Sequence, residues 1–481
     1  MSALVLALFW LLALLAFVRG VPALIVLFFC AVPFGSLAAV PPAMTGGLTF
    51  TPLPIVAALL SLRILLAPGQ AANLLSGVLH ARPQALLFTF LLVCIVSTLL
   101  MPRLFAGQIL VVPVRAIEGP MAPLAPSTQN ISQLAYLAIS VMTTLTASVG
   151  LRSARVRAVV PRAILAGCLV TVGTGLLDYA SNFVPLDAIL DAFRTATYAL
   201  LVDAEVLGAR RVVGLMPEAS AFGSTCVVLL ALLYFARRAF PVSDPMRLLS
   251  LPACGGLAVF AIMSSSSAAY VGLGVFLASV GLEWIWRVMR FDQDTMNAIR
   301  VEALIGLLAL AAIAALFLLQ PALIDRIAFI LDDLLVSKTS SSSFEERNMW
   351  TRTAWEAFVS SWGLGIGVGS SRASNFWVAL ASNTGLIGVV LYGGFVLACY
   401  LRRRPKRDGQ AAALLTAGRW ALLPGFAIGI LIGTSPDFGS LTGMTMGVML
   451  AAGRSRYETS PVVIESDRSD HSTEQSEISI A

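Results

Sequence analysis

Apolar runs of about 17–22 residues return throughout this chain, separated by short polar stretches that hold most of its arginines. At 1.5 Å per helical residue, a run of that length matches the ~30 Å hydrocarbon layer of a bilayer. Backbone polar groups in lipid must be satisfied internally, so only helices or closed barrels cross it. The runs lack the alternation that barrel strands require. Composition agrees, with 58% of the 481 residues hydrophobic, 12% charged, and a mean hydropathy of +0.87. A soluble domain cannot cover that much apolar surface. The expected fold is all-α: a polytopic bundle of membrane helices.

The runs fall near 2–18, 21–39, 50–67, 84–101, 131–150, 162–179, 219–236, 249–263, 267–286, 301–320, 376–400, 418–434 and 437–453. Arginine clusters orient them, because cytoplasmic loops carry the excess of positive charge. Arg152–Arg162, Arg237–Arg238, Arg287–Arg290, Arg402–Arg407 and Arg454–Arg456 all become cytoplasmic if about thirteen helices alternate from an outer N-terminus. One polytopic domain then covers residues 1–456. Three longer segments face outward, near 102–130, 180–218 and 321–375. The tail, 457–481, is rich in Ser, Asp and Glu and is expected to be disordered in the cytoplasm. Met1–Val18 lacks a basic leader and reads as a first membrane helix rather than a signal peptide.

Several chemistries are disfavoured. The net charge of +6 sits in clusters that flank apolar runs, which speaks for membrane anchoring and against nucleic acid. The six cysteines are scattered in or beside apolar segments without a CxxC pair, so they read as packing residues. Neither of the two histidines, His80 and His471, is expected on the outer side. No metal site and no cofactor is expected there.

The polar residues that remain concentrate in the outer segments. "SSSFEERNMWTRTAWEAFVSSW" reads as a helix with Glu345 and Glu346 in its first turn. At about 100° per residue, Glu345, Arg352 and Glu356 share one face, and Trp355, Phe358 and Trp362 another. Such a helix suits the membrane interface and would hold Arg352, with Arg347 nearby, above the lipid phosphates. The same spacing equally describes an ordinary Arg352–Glu356 pair on a solvated face. Gly363, Gly365, Gly367 and Gly369 follow, a run that either offers backbone amides to an anion or re-enters the membrane. Arg372 comes next. In the second segment, Arg210 and Arg211 lie outside, against the positive-inside trend, with Glu218 at the edge of a helix. An anionic ligand or lipid-phosphate anchoring would account for that pair.

The pattern "TRTAWEAFVSSWGLGIGVGSS…SNFWVALASNTGLIGVVLYGGFV" resembles the C-terminal core of the O-antigen polymerase and ligase superfamily. Ten residues separate Arg352 from Gly363, as in the loops of the polymerases. "RRVVGLMPEASAFG" and "MSSSSAAYVGLGV" are similar to other parts of that core, and the likeness covers about 205–400. The second loop departs from it: eleven positions after Arg194, Arg210 and Arg211 stand Glu205, Ala221 and Phe222 rather than glycine. The large loop also lacks the histidine of the ligases, which favours a polymerase.

The resemblance implies a fold related to integral-membrane glycosyltransferases, in a bacterial inner membrane. The implied substrate is an oligosaccharide repeat linked by diphosphate to a polyprenyl lipid. Polysaccharide would grow on the periplasmic side, with membrane lipids, a flippase and a chain-length regulator as partners. Arg352 and Arg211 would stabilise the leaving diphosphate, and Glu218 would act as general base. Arg210, Glu356, Arg347, Arg372 and Gly363 would contact substrate. A ligase using the same donor, or a carrier of lipid-linked sugars or other solutes, is the alternative.

Overall fold

The computed structural model describes residues 1–41, 44, 49–114, 121–198, 200–201, 205–206, 209–241, 243–289, 300 and 342–453. The expected helix at 301–320, residues 321–341 of the third outer segment and the C-terminal tail lie outside the described residues. Among the described residues nine helices are long and apolar enough to cross a membrane. They are α1 (Ser2–Arg19), α5 (Arg82–Leu104), α6 (Thr128–Gly150), α8 (Val160–Ala180, preceded by the short α7, Ala154–Arg157), α10 (Ala219–Ala236), α11 (Met246–Met263), α12 (Ser267–Val288), α14 (Phe376–Tyr400) and α15 (Gly409–Ile432). A tenth span would be the pair α3 (Pro52–Leu65) and α4 (Gln70–His80), bent by 99° at a break whose Gly69 has φ 75°. The protein is a multi-pass helical membrane protein.

Two expectations need adjusting. The run at 21–39 gives only α2 (Val21–Cys30), because Pro33 and Gly35 end the ladder. Beyond it the chain is irregular yet mostly buried, and other segments serve its amides: Ser36 N donates to Leu215 O at 3.0 Å and Ala39 N to Phe50 O at 2.7 Å. The last run gives α16 (Ser440–Ala452), whose 13 residues reach about 20 Å, well short of a bilayer. The loops are not wholly irregular. They carry α9 (Asp187–Phe193) and two antiparallel pairs, β1 (Leu110–Val111) with β2 (Ala122–Pro123) and β3 (Glu205–Val206) with β4 (Ala209–Arg210). The large outer segment holds α13 (Ser342–Ser360), as its pattern predicts.

Small residues set the closest approaches, as in membrane bundles generally. A Cβ on Gly447 of α16 would sit 2.5 Å from Ala147 Cβ, and one on Gly443 2.7 Å from Ser140 O, so α16 lies directly against α6.

The arginines at one end of the bundle are matched to carboxylates. Arg157 pairs with Asp408, which also caps α15, and Arg162 with Asp244 at 2.8 Å. Glu283 is 1% exposed and lies between Arg238 and Arg287, the latter at 3.0 Å. Arg402 donates to Leu450 O and Gly453 O at 3.0 and 2.7 Å. Breaking a buried pair from one side leaves charge uncompensated, at about 3–5 kcal/mol. Glu283→Gln is therefore expected to lower the midpoint of thermal unfolding in detergent well beyond Glu356→Gln at the opposite end. Equal midpoints would show that this charge cluster does not hold the bundle.

Candidate functional site

Helix α14 is interrupted. Gly385 has φ 71° and ψ −178°, outside helical geometry. Phe376 and Tyr392 are 16 positions apart, a rise of about 24 Å in a straight helix, yet their ring centroids lie 5.6 Å apart. The first part of α14 thus folds back beside the second. Breaking a helix frees backbone groups that lipid cannot satisfy. Here the glycine run takes them: Ile366 N donates to Ser382 O at 2.8 Å, Gly367 N to Asn383 O at 3.0 Å, and Leu386 N to Gly363 O at 2.9 Å. The approach needs glycine on both strands. A Cβ on Gly365 would lie 2.4 Å from Gly385 N, and one on Gly385 would lie 2.4 Å from Leu364 O.

Two buried amide side chains clamp the insert. Asn383 accepts from Gly369 N at 3.0 Å and donates to Ser371 O at 3.0 Å. Asn130, which boxes the start of α6, donates to Val368 O at 2.8 Å and Ser370 Oγ at 2.9 Å. The remaining amides of the run are also engaged, Gly363 N by Phe358 O at 3.0 Å and Gly365 N by Ser361 Oγ at 3.1 Å. Of the two roles open to the run, the geometry is that of an ordered re-entry into the bundle. Gly363 has no free amide for an anion.

Helix α13 rests on this insert through its small face. Ala354 packs with Ala373 and Ala379, and Ala357 with Ile366 and Ile109. Thr351 Oγ1 accepts from Ser374 N at 3.0 Å, which fixes the segment carrying Arg372. The Arg372 guanidinium lies 3.4 Å from the Trp350 ring centroid, a cation–π stack. Its nearest carboxylate, Glu346, is 4.0 Å away. Burial pushes its pKa down, and Glu346 opposes that shift. The rest of α13 faces outward. Arg352 is 82% exposed and pairs with Glu356, 59% exposed, at 2.9 Å. That is the geometry of a solvated i,i+4 pair. Trp355, Val359 and Trp362 are exposed beside it, and Arg347 is half-buried.

The second group surrounds Asp178, at the end of α8. This carboxylate is 2% exposed. It accepts from Arg194 Nη2 at 3.0 Å, Arg210 Nη2 at 3.4 Å, Val213 N at 2.7 Å and Gly214 N at 3.0 Å. Arg210 therefore holds the loop, and it also donates to Ser181 Oγ at 3.0 Å. Arg211 differs. Its Nε donates to Ser264 O at 2.9 Å, and it forms no ion pair among the described residues. Burial lowers its pKa, while Glu218 and Tyr270 lie close enough to oppose the shift. Glu218 occupies the N-cap position of α10 and accepts from Ser220 Oγ.

Arg211 thus lies near Glu218, Arg352 pairs with Glu356, and Arg372 lies beside Trp350 and Glu346. Among the described residues no hydrogen bond or ion pair joins Arg211 or Glu218 to Arg352, Glu356 or Arg372. Asp178 escaped the reading of the sequence, although a single carboxylate in the apolar run "GTGLLDYA" was its signal. The described residues contain no cluster of three or more His, Cys, Asp or Glu able to hold a metal. No protein-family model matches the chain, and no curated protein matches it.

Proposed function

We propose that this protein is a bacterial inner-membrane glycosyltransferase that joins polyprenyl-diphosphate-linked oligosaccharide repeats into a polysaccharide on the periplasmic side. One observation carries the reading: among the described residues the half-buried Arg211 forms no ion pair, although Glu218 lies near it, and the half-buried Arg372 has only Glu346, at 4.0 Å. Arginines held this way are poised for an anion that arrives with the substrate. A departing polyprenyl diphosphate builds negative charge in the transition state, and fixed donors in a partly dry site stabilise it without reorganising. Arg can grip phosphate through two parallel hydrogen bonds. Glu218, near Arg211, is the candidate base for the acceptor hydroxyl. The exposed Trp355, Val359 and Trp362 suit contact with lipid at headgroup depth, where tryptophans concentrate.

The purified chain, reconstituted in liposomes and given lipid-linked repeat, is expected to convert it into a ladder of longer chains. Repeat left unextended, with a folded protein present, would remove the reading. Product in which a single chain is moved to an unrelated acceptor would assign a ligase instead. A carrier is the second reading. The interrupted α14 favours it, because such breaks often build transport sites. The glycine run already occupies the backbone groups at this break, which leaves them little capacity for an ion or solute.

A further inference from the structure

A cavity of about 290 Å³ lies among α10, the first part of α14, α15, α16 and the α15–α16 loop. It is at the small end of the ~300–1,000 Å³ range of ligand pockets, which suits one ring-sized group. One wall is aromatic. Tyr392 stacks on Phe438 at 5.2 Å and touches Phe376 at 5.6 Å and Trp377 at 6.1 Å, so these rings pack against one another as a continuous face. They line the cavity together with Gly425, Gly429 and Gly433 of the α15 segment, where a Cβ on Gly433 would sit 2.8 Å from Phe376 Cβ.

Asp437 is the charged residue in the lining, which contains no Lys, Arg or His. Its Oδ1 accepts from Gly439 N at 3.0 Å, the Ser140 hydroxyl lies within reach of it, and it forms no ion pair among the described residues. A carboxylate removed from bulk water without a cation calls for hydrogen-bond donors. Tyr392 is fully buried behind the aromatic wall, and its hydroxyl, without a hydrogen-bond partner among the described residues, does not open into the cavity. The rim adjoins Arg372: Ala373 N donates to Thr434 O at 3.4 Å and Ser374 Oγ to Leu431 O at 3.1 Å.

We infer that this cavity binds one saccharide ring, with Asp437 accepting from ring hydroxyls and the aromatic face of Phe376, Trp377 and Phe438 covering the apolar side of the ring. A sugar supplies both needs at once, since one face presents C–H groups and its edge presents hydroxyl donors. An organic cation would also suit a carboxylate with aromatics, but it is held best when rings surround it. Here the rings share the lining with glycine, threonine and aliphatic residues and do not enclose the carboxylate. The inference rests on the glycosyl-transfer reading for its place in a reaction, as the subsite beside the diphosphate, and on the cavity alone for its ligand class.

The test is a titration of the purified full chain with glucose, N-acetylglucosamine, glucuronate and tetramethylammonium, followed by tryptophan fluorescence. A saturable change is expected for at least one neutral sugar, with Trp377 as reporter and Trp377→Phe removing most of the signal. Asp437→Asn is expected to weaken that sugar at least tenfold, and glucuronate to bind more weakly because its charge meets the carboxylate. Gly429→Leu, which fills the space without touching Asp437, guards against misfolding of the first variant and is expected to abolish the change. Folding of each variant is followed by its thermal midpoint. No response to either neutral sugar, response to tetramethylammonium alone, or unchanged affinity in folded Asp437→Asn would overturn the inference. Sugar binding without chain growth in liposomes would leave the site standing and remove the transferase reading. Chain growth without sugar binding would do the reverse.

Discussion

Arg372→Ala and Arg211→Ala are each expected to slow chain growth by about 10²–10³, while Arg352→Ala stays close to the unaltered protein. The distinction comes from where each charge is neutralised. A donor that acts on transition-state charge is typically worth ~2.7–4 kcal/mol. Arg372 is half-buried, stacked on Trp350, and 4.0 Å from its nearest carboxylate. Arg211 is held by a main-chain carbonyl and is destabilised as a cation by burial. Each has charge to spare for a diphosphate. Arg352 already pairs with Glu356 in the open, an arrangement worth about 0.3–0.5 kcal/mol. Lysine at 372 should restore only part of the rate, because a point charge neither stacks on the indole as a planar group nor grips two oxygens. The measurement is the rate of repeat consumption in liposomes at equal protein content, with unextended lipid-linked repeat accumulating in cells that carry an inactive variant. Full activity in both Arg372→Ala and Arg211→Ala would leave the diphosphate without a grip and end the proposed mechanism. A large loss in Arg352→Ala would mean that Glu356 releases it when substrate arrives.

Hydropathy made the spans legible because lipid imposes one demand on every residue of a crossing helix. Most expected runs are helical to within a few residues, and α13 starts where its acidic first turn indicates. The failures share a cause. The fold-back at Gly385 cannot be read in "ASNTGLIG", where the short polar group Ser382–Thr384 lies inside a run that is otherwise apolar. It exists because Ser382 O and Asn383 O meet amides from residues 366 and 367, and those partners are set by tertiary structure. The roles of the arginines divide in the same way. The Arg352–Glu356 pair lies within one helix and follows from its spacing. The stack of Arg372 on Trp350 spans 22 positions and follows from the docking of α13. The grip of Asp178 on Arg210 spans 32, and no local pattern announces it.

Asp178 is the residue on which the loop carrying Arg211 depends, so Asp178→Ala is expected to cost about 3–5 kcal/mol of stability. The substitution takes one acceptor from two guanidiniums and two backbone amides together. Val213 N and Gly214 N, at 2.7 and 3.0 Å, are in buried positions where an unmatched amide costs a further ~1–3 kcal/mol if water does not enter. Arg194, with 7% of its side chain exposed, would lose its carboxylate in the same change. Asp178→Asn separates the two contributions. Its carbamoyl oxygen can still serve one set of donors, but its amine must face the other, so an intermediate loss is expected. Because residues 210–214 share this anchor, Arg211 should lose its fixed position as well, and chain growth should fall even though Asp178 need not touch substrate. Thermal unfolding in detergent, proteolysis between Arg194 and Gly214, and the rate in liposomes report these effects separately. A purely structural role would lower stability and protease resistance with the rate per folded molecule unchanged. A positioning role requires that rate to fall, and to recover in part when Asn replaces Ala. Unaltered melting and protease resistance in Asp178→Ala would show that Ser181, Ser264 and the surrounding helices hold the loop without it.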